Sequence, residues 1–255
     1  MSESPLKVWV DKDGGLLRLR LARPKANIID AAMIAALDAA FRDASAAGLR
    51  AALIDHEGPH FSFGASVEEH LPANCAQMIA SLHALLVRMI EWPAPILVSV
   101  KGQCLGGGLE LALAGSRIFA SAAAQLGQPE IKLAVFAPAA SCLLPFRVNQ
   151  QCAEDLLFSG RSLGAEDALR AGLVASVDED PVAAALEYYD RHLAGGSAVS
   201  LAYAVRAARV GYTAEVKRRI AEVEELYLQG LMKTRDANEG LVAFLEKRKP
   251  RFEHR

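Results

Sequence analysis

The chain has 255 residues, 52% of them hydrophobic, and 28 Lys and Arg against 30 Asp and Glu leave a net charge of −2. That composition supports one substantial core. Interspersed charges of both signs give neither the footprint of a nucleic-acid binder nor a basic amphipathic helix for a membrane surface. No apolar run reaches the ~18 residues of a membrane span. The opening Met-Ser-Glu-Ser-Pro-Leu-Lys lacks the basic-then-apolar layout of a signal peptide, so the expected compartment is the cytoplasm. Cys75, Cys104, Cys142 and Cys152 show no C-x-x-C spacing and read as buried thiols; no metal is expected.

Residues 6–21 predict a hairpin, because Val8 and Val10 alternate with Trp9 and Asp11, and Leu17, Leu19 and Leu21 with Arg18 and Arg20, around Asp13-Gly14-Gly15. Asp30 precedes an Ala-rich helical run to about residue 47, with Met33, Ile34, Leu37 and Phe41 on one face and Gly48 as its stop. A buried strand is predicted at 51–55. After the polar loop Glu57-Gly58-Pro59-His60, the segment 61–66 is rich in small residues, and Gly64-Ala65 reads as a tight turn with exposed N–H groups. Residues 78–92 predict an amphipathic helix closed by Pro93 and Pro95, and 95–100 an apolar strand.

That strand feeds Gly106-Gly107-Gly108-Leu109-Glu110, a strand-to-helix turn where the main chain can approach a ligand. The first N–H groups of the following helix lack internal partners and carry the positive end of its dipole. The stretch matches neither a P-loop nor a G-x-G-x-x-G fingerprint. Glu110 beside the turn would repel a phosphate but not a neutral carbonyl, so an oxyanion is the favoured occupant. Farther on, 117–121 reads as a short strand, and 125–130 as an irregular stretch that Pro129 keeps out of helix. Pro138 opens a helix, and 160–168 reads as a turn with a helix start. Strands and helices alternate with parallel-type spacing to about Val177, which argues α/β architecture. From Asp180 onward the pattern is helical only, with Val216, Ile220, Val223 and Tyr227 on one apolar face and Asp236-Ala237-Asn238-Glu239 as a capping arrangement. The division predicted is a core at 1–195 and a helical region at 196–255.

Seven stretches in register resemble the crotonase (enoyl-CoA hydratase/isomerase) superfamily. They are Pro24-Lys25-Ala26-Asn27-Ile28-Ile29, residues 61–65, residues 106–110, Gly127-Gln128-Pro129-Glu130, Ser159-Gly160-Arg161, residues 168–174 and residues 239–252. Residues 61–70 and 135–145 are similar in particular to its cyclohexa-1,5-diene-1-carbonyl-CoA hydratases of anaerobic aromatic degradation. The resemblance implies a spiral of ββα turns with a helical C-terminal region for trimerisation and active-site cover, as trimers or dimers of trimers. It implies an acyl-CoA thioester substrate, with CoA near Lys25, Ala26 and Ile28 and no separate cofactor. It also implies two main-chain donors to the thioester carbonyl, Ala65 N–H and Gly107 N–H, and two acid–base carboxyls, Glu110 and Glu130.

Hydrating a conjugated thioester needs stabilisation of the enolate-like oxygen, a base for water and an acid for carbon. Two carboxyls in one poorly solvated pocket cannot both ionise easily, so at least one pKa should rise. Glu110 is assigned to water and Glu130 to carbon, with exchange of these roles left open. Simple enoyl-CoA hydratases hold the water with a glycine N–H where this sequence has Pro138, which has none. Ser66 and Ser116 replace two aspartates of the family and read as structural changes. Phe63 and Phe136 suggest a pocket for a flat cyclic acyl group, with His70 after the oxyanion loop as a further pocket residue. His83 reads as packed, and Lys101, Arg147, Lys247 and Lys249 as solvated cations. An ordinary β-oxidation hydratase or isomerase and a non-catalytic binding protein of the same fold remain as alternatives.

Overall fold

In the computed structural model, which describes residues 4–44 and 48–255, the predicted hairpin is β1 (Leu6–Asp11) and β2 (Leu16–Leu21), antiparallel with Leu6 opposite Leu21. The sheet then grows by parallel neighbours: β3 (Ala51–His56), β4 (Ile96–Val100), β6 (Arg117–Ala120) and β9 (Ser176–Val177). β3 and β4 are nearly continuous buried apolar runs, as strands covered on both faces must be. A second sheet of three-residue strands lies beside it, with β5 (Gln103–Leu105) parallel to β7 (Gln125–Gly127) and β7 antiparallel to β8 (Ser162–Gly164). Two isolated bridges, Ser62 with Cys104 and Ile29 with Ala65, extend that line of pairing.

Each circuit of the chain therefore adds a long strand to one sheet, a short extended segment to the other, and a helix. The helices of these circuits are α1 (Ala31–Asp43), α2 (Cys75–Glu91), α3 (Gly107–Leu113) and α4 (Pro138–Leu143). Asp30 caps α1, its carboxylate accepting from Met33 N–H at 2.9 Å. The predicted end of that helix near residue 47 lies outside the described residues. α5 (Gln150–Ser159), α6 (Ala165–Arg170) and α7 (Pro181–His192) follow, and α7 covers the outer face of the first sheet through Ala185, Tyr189 and Leu193. α8 (Ala198–Glu225) runs into a π-helical turn, Leu226–Gly230, before α9 (Arg235–Leu245). This end of the chain packs through Tyr227, Met232 and Leu241 onto Cys75, Met78 and Val135.

Four local expectations are corrected. Residues 125–130 are not irregular: they form β7, and then Pro129 starts a 3₁₀ helix, Pro129–Leu133. At the first helical position a missing N–H costs nothing and a fixed φ helps, so this proline begins a helix instead of preventing one. Residues 162–164 are a strand, too short for its pattern to show in sequence. α2 begins three residues before the predicted start, because Asn74 and Cys75 already donate back to Leu71 O and hand on a helical backbone. The cap of α9 is Thr234, whose Oγ1 accepts from Ala237 N–H at 3.2 Å. Asp236 accepts from Glu253 N–H and His254 N–H, at 2.6 and 2.8 Å, and ties down the C-terminal segment.

Candidate active site

The site is built where β5 turns into α3. Gly106, with φ 51°, makes that turn and donates its N–H to Gly127 O at 3.0 Å, joining the end of β5 to the end of β7. A side chain is excluded at 106 twice over, by the left-handed dihedral and because a Cβ would stand 2.5 Å from Glu130 Oε1. Gly107 is the first residue of α3, so its N–H has no acceptor within the helix.

The 61–65 segment runs alongside β5. Ser62 N–H donates to Gln103 O and Leu105 N–H to Ser62 O, both at 3.0 Å. Ser62 Oγ accepts from Gly64 N–H at 3.0 Å and donates to Asn27 O at 2.8 Å, which holds the turn at Gly64, φ 108°. The result is close contact between the two predicted donors: a Cβ on Gly107 would lie 3.1 Å from Ala65 N. Ala65 N–H donates to no described residue. The segment therefore brings the Ala65 and Gly107 amides together at one turn.

Glu110 lies one turn into α3, 4% exposed, and Oε1 accepts from Ala140 N–H at 2.8 Å at the start of α4. Burial raises its pKa, opposed by the Ala140 N–H, by His83 and by the Ala139 N–H. Glu130 sits in the 3₁₀ helix, its carboxyl against Gly106. With its amide nitrogen turned toward that carboxyl, Gln128 donates to both oxygens at 3.2 and 3.0 Å. Burial first, and the Glu110 charge second, push Glu130 up to about 8. The surroundings are thus unequal: Glu110 accepts from main-chain N–H groups, whereas Glu130 accepts from the Gln128 amide and has the Glu110 charge beside it. With Glu130 pushed up to about 8, its carboxyl keeps its proton near neutral pH, and two carboxyls of unequal surroundings share one pocket.

The other predicted residues are distributed around this centre. Phe136 meets Tyr227 edge-on at 5.1 Å, and Pro138 begins α4 without an N–H to give. Lys25, Ala26 and Ile28 line a surface cavity of about 660 Å³ that also reaches Ser66, the neighbour of Ala65. His70 Nδ1 lies 2.8 Å from Ser66 O, and burial lowers its pKa, so it braces the turn that follows Ala65. Phe63 does not join Phe136: it is 44% exposed, with its ring against His60 at 5.0 Å. Ser116 Oγ accepts from Ile96 N–H and from Arg209, both at 2.8 Å, a structural role as expected. Arg147 is not a solvated cation: it is part-buried and donates to Leu113 O at 2.7 Å at the end of α3.

Three polar residues at the site escape the sequence reading as functional groups. Gln128 is 1% exposed beside Glu130. His83, on the buried face of α2, is packed as expected, but Nδ1 pairs with Glu224 Oε2 at 2.8 Å. Tyr227 is fully buried, and its hydroxyl has no hydrogen-bond partner among the described residues. A tyrosine closing an otherwise aliphatic helix face is the signal that was available for it, since a buried phenol ordinarily finds a partner.

Two neighbouring main-chain amides, at Ala65 and Gly107, close to a buried carboxyl pair make this an enzyme-type site. The sequence profile of the enoyl-CoA hydratase/isomerase family matches residues 11–255, and the chain belongs to that family. It is 60% identical to cyclohexa-1,5-dienecarbonyl-CoA hydratase of Thauera aromatica over 100% of both chains. It is 33% identical to carnitinyl-CoA dehydratase of Proteus mirabilis (strain HI4320), over 95% of this chain and 96% of that one. Among solved structures, enoyl-CoA hydratase/isomerase from Pseudoalteromonas atlantica T6c superposes with a TM-score of 0.86 at 29% identity, covering 97% of this chain and 99% of that chain. The ββα spiral with a helical C-terminal region is therefore the crotonase fold.

Proposed function

We propose that the protein is a hydratase that adds water reversibly to cyclohexa-1,5-diene-1-carbonyl-CoA, giving 6-hydroxycyclohex-1-ene-1-carbonyl-CoA in anaerobic aromatic degradation by the benzoyl-CoA route. The observation that carries the chemistry is the unequal pair, Glu110 and Glu130, beside the turn of Ala65 and Gly107. The full-length relative from Thauera aromatica supports the choice of acyl group.

Water attacks the β-carbon C2 while Glu110 takes its proton. The electrons move into a dienolate whose oxygen is held by Ala65 N–H and Gly107 N–H, donors worth about 3–4 kcal/mol in a dry site. Glu130 then gives its proton to C5, the far end of the dienolate. The remaining double bond comes to lie between C1 and C6, which in product numbering is C1=C2 with the hydroxyl on C6. Atoms balance, no oxidation state changes, and no cofactor is assigned beyond the CoA of the substrate. The excess proton on Glu110 returns to Glu130 to reset the pair.

We assign CoA to the cavity at Lys25, Ala26 and Ile28, and the cyclic acyl group to the space bounded by Phe136 and Pro138. A homotrimer or dimer of trimers in the cytoplasm completes the reading, with residues 196–255 as the assembly and cover region on a 1–195 core. The exposed apolar residues Val199, Tyr203 and Val210 along α8 support that assembly, and sedimentation of the purified protein tests it. Among the described residues no helix is long and apolar enough to cross a membrane.

Initial rates on cyclohexa-1,5-diene-1-carbonyl-CoA and on crotonyl-CoA test the substrate. A higher kcat/KM is expected for the cyclic diene, and a higher value for crotonyl-CoA would replace this reading with an ordinary enoyl-CoA hydratase.

A further inference from the structure

The hydration just described needs its water held as well as deprotonated. A water that directs its hydrogens to carboxyl oxygens still has a lone pair on oxygen to be oriented by a donor. The donors beside the pair are already spent: Ala140 N–H on Glu110 and the Gln128 amide on Glu130. Pro138, at the head of α4, has no N–H. His83 Nε2 has no partner among the described residues, but Nδ1 is engaged by Glu224, and in the neutral ring with its proton on Nδ1 the other nitrogen is an acceptor.

One donor remains. Tyr227 stands in the π-helical turn Leu226–Gly230, a distortion that recurs at functional sites. Its ring is fully buried and crosses Phe136 edge-on at an interplanar angle of 76°. Its hydroxyl has no hydrogen-bond partner among the described residues. A phenylalanine would fill the same space without desolvating a hydroxyl, so packing alone gives no reason for the oxygen. The ionisable groups facing the phenol are Cys75 from α2, Glu130 from the 3₁₀ helix and Glu110 from α3. Burial and these three groups all favour the protonated phenol, and a protonated phenol is a donor.

We propose that Tyr227 is a catalytic residue whose hydroxyl donates a hydrogen bond to the oxygen of the attacking water, in place of the main-chain N–H that Pro138 lacks. No proton leaves the phenol: the water gives its proton to Glu110, and Glu130 supplies a proton to carbon C5. The inference rests on the hydratase reading and adds to it the group that orients the nucleophile.

Tyr227→Phe is the test, because it removes one oxygen and leaves the ring. On whichever of the two thioesters the wild type hydrates faster, kcat should fall about 10- to 100-fold with KM within about threefold of wild type. Its melting temperature should be unchanged or higher, since the lost hydroxyl has no hydrogen-bond partner among the described residues. An undiminished kcat overturns the proposal. So does a loss of kcat/KM that appears mainly in KM, which would mark Tyr227 as a wall of the acyl pocket. A wild type that hydrates neither thioester removes the hydratase reading and this inference with it, whereas an active wild type matched by the variant removes the inference alone.

Discussion

The difference between Glu110 and Glu130 is a difference of neighbours, not of residue type. Both are carboxyls withdrawn from water, yet Glu110 meets the Ala140 N–H and Glu130 meets the Glu110 charge. Replacing either by Gln keeps shape and removes ionisation, so kcat should fall about 10²- to 10⁴-fold with little change in KM. Variants that retain wild-type kcat would show that the acid and base of the reaction lie elsewhere. The pH dependence of kcat/KM for hydration follows from the same asymmetry. Glu130 must enter protonated, so activity should decline above about pH 8, where it loses its proton. The acidic limb belongs to protonation of Glu110. Gly106 shows how tightly this geometry is drawn. Gly106→Ala would put a methyl against Glu130 Oε1 in a left-handed backbone, and should cost hydration activity more than it costs folding. A circular dichroism melt beside the kinetic assay separates the two effects.

At the scale of elements, the strand order is held by side chains far from the chemistry. Asp55 on β3 is 1% exposed and accepts from Arg20 Nε at 2.6 Å, directly across from it in the β2 register, and from Arg18 Nη2 at 2.7 Å. Trp9 on β1 lies under both guanidinium groups, at 5.0 and 5.3 Å. Asp55→Ala would leave Arg18 buried with only Asp11 nearby, a loss of about 3–5 kcal/mol. The variant should melt many degrees lower while keeping its kcat at temperatures where it is folded. A melt equal to wild type would show the cluster to be redundant. Elements of this kind were legible in sequence: β3 and β4 as continuous apolar runs, α1 from Asp30 and its apolar face. β8 and the 3₁₀ helix at Glu130 were not. A three-residue strand is fixed by backbone pairing with β7 and carries no alternation, and Pro129 can end a helix or begin one. The glycine turn announced itself, but nothing local to 61–66 says that Ala65 N–H will lie beside Gly107. That contact is made by the line of pairing through Ser62 and Cys104, and only the family resemblance anticipated it.

The whole molecule tolerates two carboxyls in one dry pocket, and that tolerance has a measurable consequence. Glu130 titrates near 4.5 when exposed and about 8 in the folded protein. Between those values the folded state retains a proton that the unfolded chain has released. Stability must then fall as pH rises across that window, the reverse of the usual salt-bridged carboxylate. Below about pH 4.5 both states hold the proton and this contribution is fully present; above about pH 8 it has been lost. Glu110, raised in the same direction by burial, adds to the slope. Glu130→Gln deletes the titration while leaving a hydrogen-bonding group of the same shape against Gly106. The melting temperature of the variant relative to wild type should therefore rise steadily from pH 5 to pH 8.5, each kcal/mol of differential stability appearing as roughly 2–4 °C. A constant difference between the two proteins across that range would mean that Glu130 is ionised in the folded state throughout, and the acid assigned to carbon would have to be sought elsewhere in the site.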